Sequence, residues 1–149
     1  MSTQYVVPTG AVTLVAATAK VVCELPSGST IGLLVIGLDV TLSATAVGTC
    51  VVEWMTYATT GTGTTVTPLK LGTGQGPAAL TGTVKVNHTA APGTLASGGL
   101  PSWVLPLPGM YSIAMPLGRE FFWPVSTLRC LRLTSSLACS ARVDVFFEH

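Results

Sequence analysis

The fold of this chain is constrained most by its short runs of β-branched residues. Glycine or proline interrupts each run after a few positions. Threonine and valine dominate, 16 glycines and 10 prolines recur along the 149 residues, and the helix formers Glu, Lys and Gln are few. Short strands joined by tight turns produce this pattern, which leaves no stretch suited to a long helix. The sequence therefore predicts an all-β fold.

The hydrophobic pattern shows how the strands are expected to pack. In Ser140–Phe147 the apolar residues alternate, so Val143, Val145 and Phe147 share one face, and Leu131 and Leu133 do the same in the strand before it. The run from Ile31 to Leu42 is apolar on both faces, which suits a central strand covered on both sides. About 8–10 strands without a helix predict a single-domain, jelly-roll-like β-sandwich over residues 11–149, with residues 1–10 as an N-terminal arm or edge strand.

Charge is scarce and scattered. Charged residues make up 9% of the chain and the net charge is +1, against about 25% charged residues in ordinary soluble domains. No basic stripe is available to neutralise a phosphate backbone, so nucleic-acid binding is not expected. The apolar runs end well short of the ~20 residues that span a bilayer, and the N-terminus lacks the pattern of a signal peptide, which predicts no membrane partner and folding in the cytoplasm. Low surface charge also suggests burial against partner subunits.

The glycine-rich stretch from Ala58 to Leu80 includes "GTGQGP", which resembles a phosphate-binding loop only superficially. It lacks the Gly-Lys-Ser/Thr ending, and Pro77 leads back into strand pattern rather than into a helix whose amides could hold an anion. The sequence instead predicts a strand, Thr65–Leu71, between two turns. Pro68 marks that strand as an edge strand or a bulge.

The chain offers few candidates for catalysis or metal binding. His88 is the only internal histidine, and its expected role is that of a loop histidine near a turn. The six acidic residues are isolated; Asp39 and Glu53 interrupt apolar strands and are expected to pair with an arginine, or to face solvent or a partner. The sequence accordingly assigns no catalytic residue, no cofactor and no metal ligand.

The four cysteines form no C-x-x-C pair and stand in apolar, strand-like contexts. Buried free thiols are the expected state in a reducing cytoplasm. Cys130 and Cys139 could still face one another if their strands form a hairpin.

Aromatic residues are the remaining candidates for a functional surface. Phe121, Phe122 and Trp123 are consecutive, and such side chains are expected to be core or interface anchors. The alternative is a sugar-binding platform that uses Trp54, Trp103 or Trp123.

Several segments together resemble a known family. "TPLKL" (Thr67–Leu71), "TAAPGTL" (Thr89–Leu95) and "PLGRE" (Pro116–Glu120) follow the N-terminal "YVVPTGAVTLVAATAKVV" in this order. The chain is similar here to small all-β structural proteins encoded among the virion genes of tailed bacteriophages.

This resemblance implies a non-enzymatic capsid decoration (cement) protein on the virion surface, assembled in the host cytoplasm. Its expected partners are the major capsid protein and further copies of itself, as a homotrimer, and its N-terminal segment could add a strand to a neighbouring sheet edge. A phage tail, neck or fibre component is the first alternative, and a carbohydrate-binding β-sandwich the second. The candidate interface residues are Tyr5, Val6, Val7, Pro68, Trp103, Phe121, Phe122 and Trp123.

Overall fold

The computed structural model describes residues 3–26, 32–71, 83–90, 92–93, 95–97, 100–116, 120–124 and 126–148. This part of the chain forms strands and no helix, and no helix in it is long and apolar enough to cross a membrane. The strands are β1 (Gln4–Pro8), β2 (Val12–Leu14), β3 (Ala19–Pro26), β4 (Leu33–Ser43), β5 (Gly48–Tyr57), β6 (Thr62–Val66), β7 (Leu69–Leu71), β8 (Val84–Ala90), β9 (Leu95–Ser97), β10 (Ser102–Leu107), β11 (Gly109–Ala114), β12 (Phe121–Trp123), β13 (Leu128–Ser135) and β14 (Cys139–Glu148).

These strands form two seven-stranded antiparallel sheets. Sheet A has the order β11-β4-β14-β1-β7, with β12 also paired to β4 and β2 to β14. Sheet B has the order β10-β5-β13-β3-β8-β6, with β9 also paired to β5. The expected all-β sandwich is confirmed, while the jelly-roll topology stays a prediction. The strands outnumber the expected 8–10 because several are three-residue pieces at sheet margins, too short to show a periodic pattern.

The core lies between the two sheets and follows the expected alternation. Val143, Val145 and Phe147 of β14 are buried there, as are Leu131 and Leu133 of β13. Strand β4 is central, as predicted, and its inward side chains belong to the same core. Its outward Leu34 and Ile36 are only half-buried, so the prediction that β4 is covered on both faces was wrong in that detail.

The N-terminal segment, expected as an arm or an edge strand, lies inside sheet A instead. Strand β1 pairs with β14 on one side and with β7 on the other. Tyr5 and Val7 point into the core, where the Tyr5 ring stacks on Phe147 with centroids 5.4 Å apart. The alternating apolar residues of β1 thus complete the inner face of the sheet, and both edges of its backbone find partners.

The segment predicted as one strand, Thr65–Leu71, is divided between the two sheets. Strand β6 ends at Val66 in sheet B and β7 begins at Leu69 in sheet A, so Thr67 and Pro68 cross from one sheet to the other. Proline has no N–H to donate to a ladder, which makes it suitable for this crossing. The "GTGQGP" stretch lies outside the described residues.

Strand β10 contains a proline within a run of alternating burial. Its Leu105 and Leu107 are buried, whereas Pro106 is exposed. Proline is compatible with β10 because this strand lies at the margin of sheet B, beside β5.

All four cysteines are buried and free, as expected. Cys130 and Cys139 do not face one another: Cys130 belongs to a small cluster with Val21, Met55 and Tyr57, apart from the main core that contains Cys139. Burial raises the pKa of the Cys50 thiol to about 11, an increase to which the neighbouring Cys139 adds.

Candidate functional site

A backbone irregularity on β8 brings His88 to the outer face of sheet B. Val84 and Val86 point into the core, so regular alternation would also turn His88 inward. Asn87 instead has a φ of 49°, and the β6–β8 register shifts at this point. Bulges of this kind re-aim a side chain. His88 therefore emerges beside β3 on the same side as Lys85, and only 1% of its side chain remains exposed.

Glu24 on β3 is the partner of His88. His88 Nε2 lies 2.8 Å from Glu24 Oε2, and the Glu24 side chain is 2% exposed. The backbone N–H of Gly61 donates to the same oxygen at 3.0 Å, and the Thr60 hydroxyl donates to Oε1. Lys85 Nζ donates to Thr60 Oγ1 at 2.7 Å and to the Gly61 carbonyl at 2.8 Å. We call these five residues the Glu24 latch.

The latch holds Glu24 as a carboxylate. Burial alone would raise the pKa of Glu24, but the hydrogen bonds from His88, Thr60 and Gly61 outweigh it and hold the pKa below its ordinary value. An ionised carboxylate only accepts, so Nε2 of His88 is the donor in their contact. The other ring nitrogen, Nδ1, is buried with no hydrogen-bond partner among the described residues.

Two glycines make room for the imidazole. A Cβ at Gly61 would lie 2.7 Å from His88 Cδ2, and a Cβ at Gly63 would lie 3.2 Å from Nδ1 and Cε1. The same Cβ atoms would also meet backbone atoms at 2.7–2.9 Å. The "GTGQGP" glycines lie outside the described residues, whereas Gly61 and Gly63, earlier in the same glycine-rich stretch, have a clear packing role.

The latch contains a hydroxyl between a carboxylate and an ammonium, an arrangement that can activate a nucleophile. Glu24, Thr60 and Lys85 also border a cleft of about 420 Å³. However, a carboxylate with a lowered pKa is a weak base, and both Glu24 oxygens already accept hydrogen bonds. The geometry is better suited to holding the connection between β5 and β6 in place by hydrogen bonds than to proton transfer.

Sequence reasoning missed this network. It treated His88 and Glu24 as isolated, because 64 positions separate them and no spacing rule joins them. Asn87, which tolerates the left-handed conformation better than most residues, was the one local signal that could have indicated a bulge before His88.

The other two acidic residues singled out from the sequence have different environments. Glu53 forms an ion pair with Arg132, at 2.8 Å between Oε1 and Nη2, which confirms the expected arginine partner. Burial alone would lower the pKa of Arg132, but Glu53 outweighs it and raises that pKa. Asp39 is exposed, accepts a hydrogen bond from Ser112 Oγ at 2.6 Å, and lies directly opposite Asp144 in the β4–β14 ladder.

The candidate interface residues divide by exposure. Tyr5, Val7 and Trp123 are completely buried in the core, so they are not part of the surface of this chain. Phe122 is 59% exposed, while Val6, Pro68 and Trp103 are partly exposed. The backbone of Phe121 pairs with Val35, and its side chain lies outside the described part.

Two of the three tryptophans of the sugar-platform alternative are core residues. Trp54 and Trp123 are both 0% exposed and pack edge to face with ring centroids 4.9 Å apart. The Arg129 guanidinium lies 5.7 Å from the Trp123 ring centroid. Trp103 is the only one of the three that is partly exposed.

The outer face of sheet A carries a group of neighbouring apolar side chains that sequence reasoning identified only in part. Val6 lies between Phe146 and Leu69 across three neighbouring strands, and a groove of about 300 Å³ beside them is lined by Ile36, Leu71 and Phe146 together with polar residues. Leu69 is 58% and Leu71 38% exposed. We call these five residues the sheet A patch.

Comparisons with known proteins find no match: no family model fits the chain, and no curated protein or solved structure is significantly similar to it. Among the described residues, no group of three or more His, Cys, Asp and Glu side chains could hold a metal ion.

Proposed function

We propose that this chain is a virion structural protein of a tailed bacteriophage and decorates the outer capsid shell, where it contacts the major capsid protein. The observation that supports this proposal is the sheet A patch, which no other described element of the chain covers. Exposed apolar side chains are ordinary when scattered, but a group of them on one outer sheet face, with polar residues at its border, is typical of a docking surface.

The energetics of such docking suit a decoration role. Complete burial of one large apolar side chain contributes about 1.5–3 kcal/mol relative to full exposure, and the patch side chains start from partial exposure, with Leu69 58% and Leu71 38% exposed. Each subunit therefore gains a modest binding energy from this surface. A homotrimer that engages several lattice points at once converts modest contacts into stable attachment through multivalency.

The direct test is binding of the purified chain to expanded capsid shells, measured by co-sedimentation. The proposal expects saturable binding near one copy per major capsid subunit and a trimer by light scattering, free or released from shells. Leu69→Asp places a charge on the patch and should weaken binding at least tenfold. Val15→Asp is the matched control, because Val15 is 62% exposed and lies outside the patch; it should bind like the parent chain.

Two results would overturn the proposal. Sedimentation with tails but not with shells would favour the tail, neck or fibre alternative. Equal shell binding by Leu69→Asp and the parent chain would show that the patch is not the docking face.

A further inference from the structure

The second feature of interest lies on the opposite side of the molecule, where the connection between β5 and β6 meets the Glu24 latch. We propose that residues 58–61 form a strap that opens as a local unit and is held closed by its hydrogen bonds to the Glu24 carboxylate. Opening of the strap gives solvent access to Cys130. This inference does not depend on a capsid role.

The hydrogen bonds of the strap converge on very few side chains. Thr60 and Gly61 both donate to Glu24, and both accept from Lys85. Outside the latch, the strap accepts a further hydrogen bond, from the backbone N–H of Gly93 to the Thr59 carbonyl at 3.3 Å. Loss of the Glu24 charge therefore removes the main acceptor of the strap in one step. Hydrogen bonds to a charged group are stronger than those between neutral groups, so this loss is large for so short a segment.

A proton on Glu24 has no favourable position in the latch. It would face the three groups that now donate hydrogen bonds to the carboxylate. If neutral Glu24 donated to Nε2 of His88 instead, the ring hydrogen would move to Nδ1, which is buried against Gly63 and has no described acceptor. Either arrangement leaves a buried donor unsatisfied, which is costly.

The surrounding charged and titratable groups do not change this conclusion. Within the latch, Lys85 is the cation, and it already donates to the strap. On the far side of His88, Lys20 donates to the Thr13 carbonyl. The thiols of Cys23 and Cys130 lie near Glu24, and burial, with the Glu24 charge, raises the pKa of both, so they stay neutral.

Opening of the strap should be visible at Cys130. This residue is the direct cross-strand neighbour of Glu24 and belongs to the small cluster with Val21, Met55 and Tyr57 on the outer face of sheet B. Cys23, Cys50 and Cys139 belong to the main core between the sheets. Selective exposure of Cys130 would thus separate local opening from unfolding of the sandwich.

The experiment combines hydrogen exchange with iodoacetamide labelling of the full chain, both read by mass spectrometry at pH 7. In Glu24→Gln, amide exchange in residues 58–61 should accelerate at least tenfold, and Cys130 should be labelled before the other three cysteines. Peptides from β13 and β14 should keep their protection. Glu53→Gln is the matched control, because it removes the other carboxylate paired on this face and should leave the strap closed.

Two further measurements keep the test decisive. Thr60→Val removes one strap donor at an exposed position and should produce a smaller acceleration. In the parent chain at pH 3, after correction for intrinsic exchange rates, residues 58–61 should lose protection before β14. Unchanged exchange in residues 58–61 would overturn the inference, as would simultaneous loss of protection in residues 58–61 and β14, since that would be unfolding of the whole sandwich.

Discussion

The outer faces of the two sheets differ in how they are completed. On sheet B, residues 58–61 of the chain itself lie against the outer face, and the buried Glu24 carboxylate accepts hydrogen bonds from that segment. On sheet A, Val6, Phe146 and Leu69 lie side by side, and no described element covers them. One face thus finds its partner groups within the chain, whereas the other is the face proposed above to dock. The comparison predicts that substitutions in the Glu24 latch change stability and that substitutions on the sheet A patch change binding.

The largest expected effect is the loss of stability when a charge is placed on the inner face of sheet A rather than on its outer face. Val145 is 0% exposed, and Val145→Asp would bury an unpaired charge, so it should cost more than about 4 kcal/mol and abolish folding. Leu133→Asp should do the same in sheet B. The neighbouring Phe146→Asp should fold, because that side chain faces outward. Circular dichroism and urea denaturation check these outcomes; a folded Val145→Asp would mean that the assigned faces are inverted.

A smaller effect is expected where His88 lies against the glycines of sheet B. Gly61→Ala places a Cβ 2.7 Å from both His88 Cδ2 and the backbone nitrogen of Pro92. Because backbone atoms cannot move away cheaply, the substitution should destabilise the chain by about 1–3 kcal/mol. The nearby exposed Thr62→Ala is the control and should be close to neutral. Equal urea midpoints for Gly61→Ala and the parent chain would show that the imidazole is not held in this position.

Acid should weaken sheet B through Glu24. Burial alone would raise the pKa of Glu24, but its hydrogen bonds outweigh burial and place the pKa of the folded state below the ordinary value of 4.5. The carboxylate therefore contributes stability that is fully present above about pH 4.5 and is lost as the pH falls through the lower folded-state pKa. The difference in unfolding free energy between the parent chain and Glu24→Gln should accordingly shrink between pH 5 and pH 3. A difference that stays constant over this range would contradict the assignment of Glu24 as an ionised acceptor.

These contrasts show why sequence predicted some features and not others. Alternation assigned Val145 and Leu133 to the core, because a strand has a fixed period of two and one buried face. Local pattern could not show that Val66 and Leu69 belong to different sheets, since both sides of Pro68 look like strand. The contact between Glu24 and His88 depends on a bulge at Asn87 and on strand order in sheet B. Both are set by tertiary packing rather than by spacing along the chain.

The smallest effect concerns charge on the outer face of sheet A. Asp39 and Asp144 are directly opposite in the β4–β14 ladder, and like charges in this position destabilise a sheet. Asp39→Asn keeps an oxygen that can accept from Ser112 while removing one charge, so it should stabilise the chain by about 0.2–1 kcal/mol at low salt. High salt screens exposed charges, so the gain should diminish at 1 M NaCl. Urea midpoints at both salt concentrations provide the measurement, with Ser112→Ala reporting the hydrogen bond separately. A gain that persists at high salt would show that packing, rather than repulsion between the carboxylates, limits stability on this face.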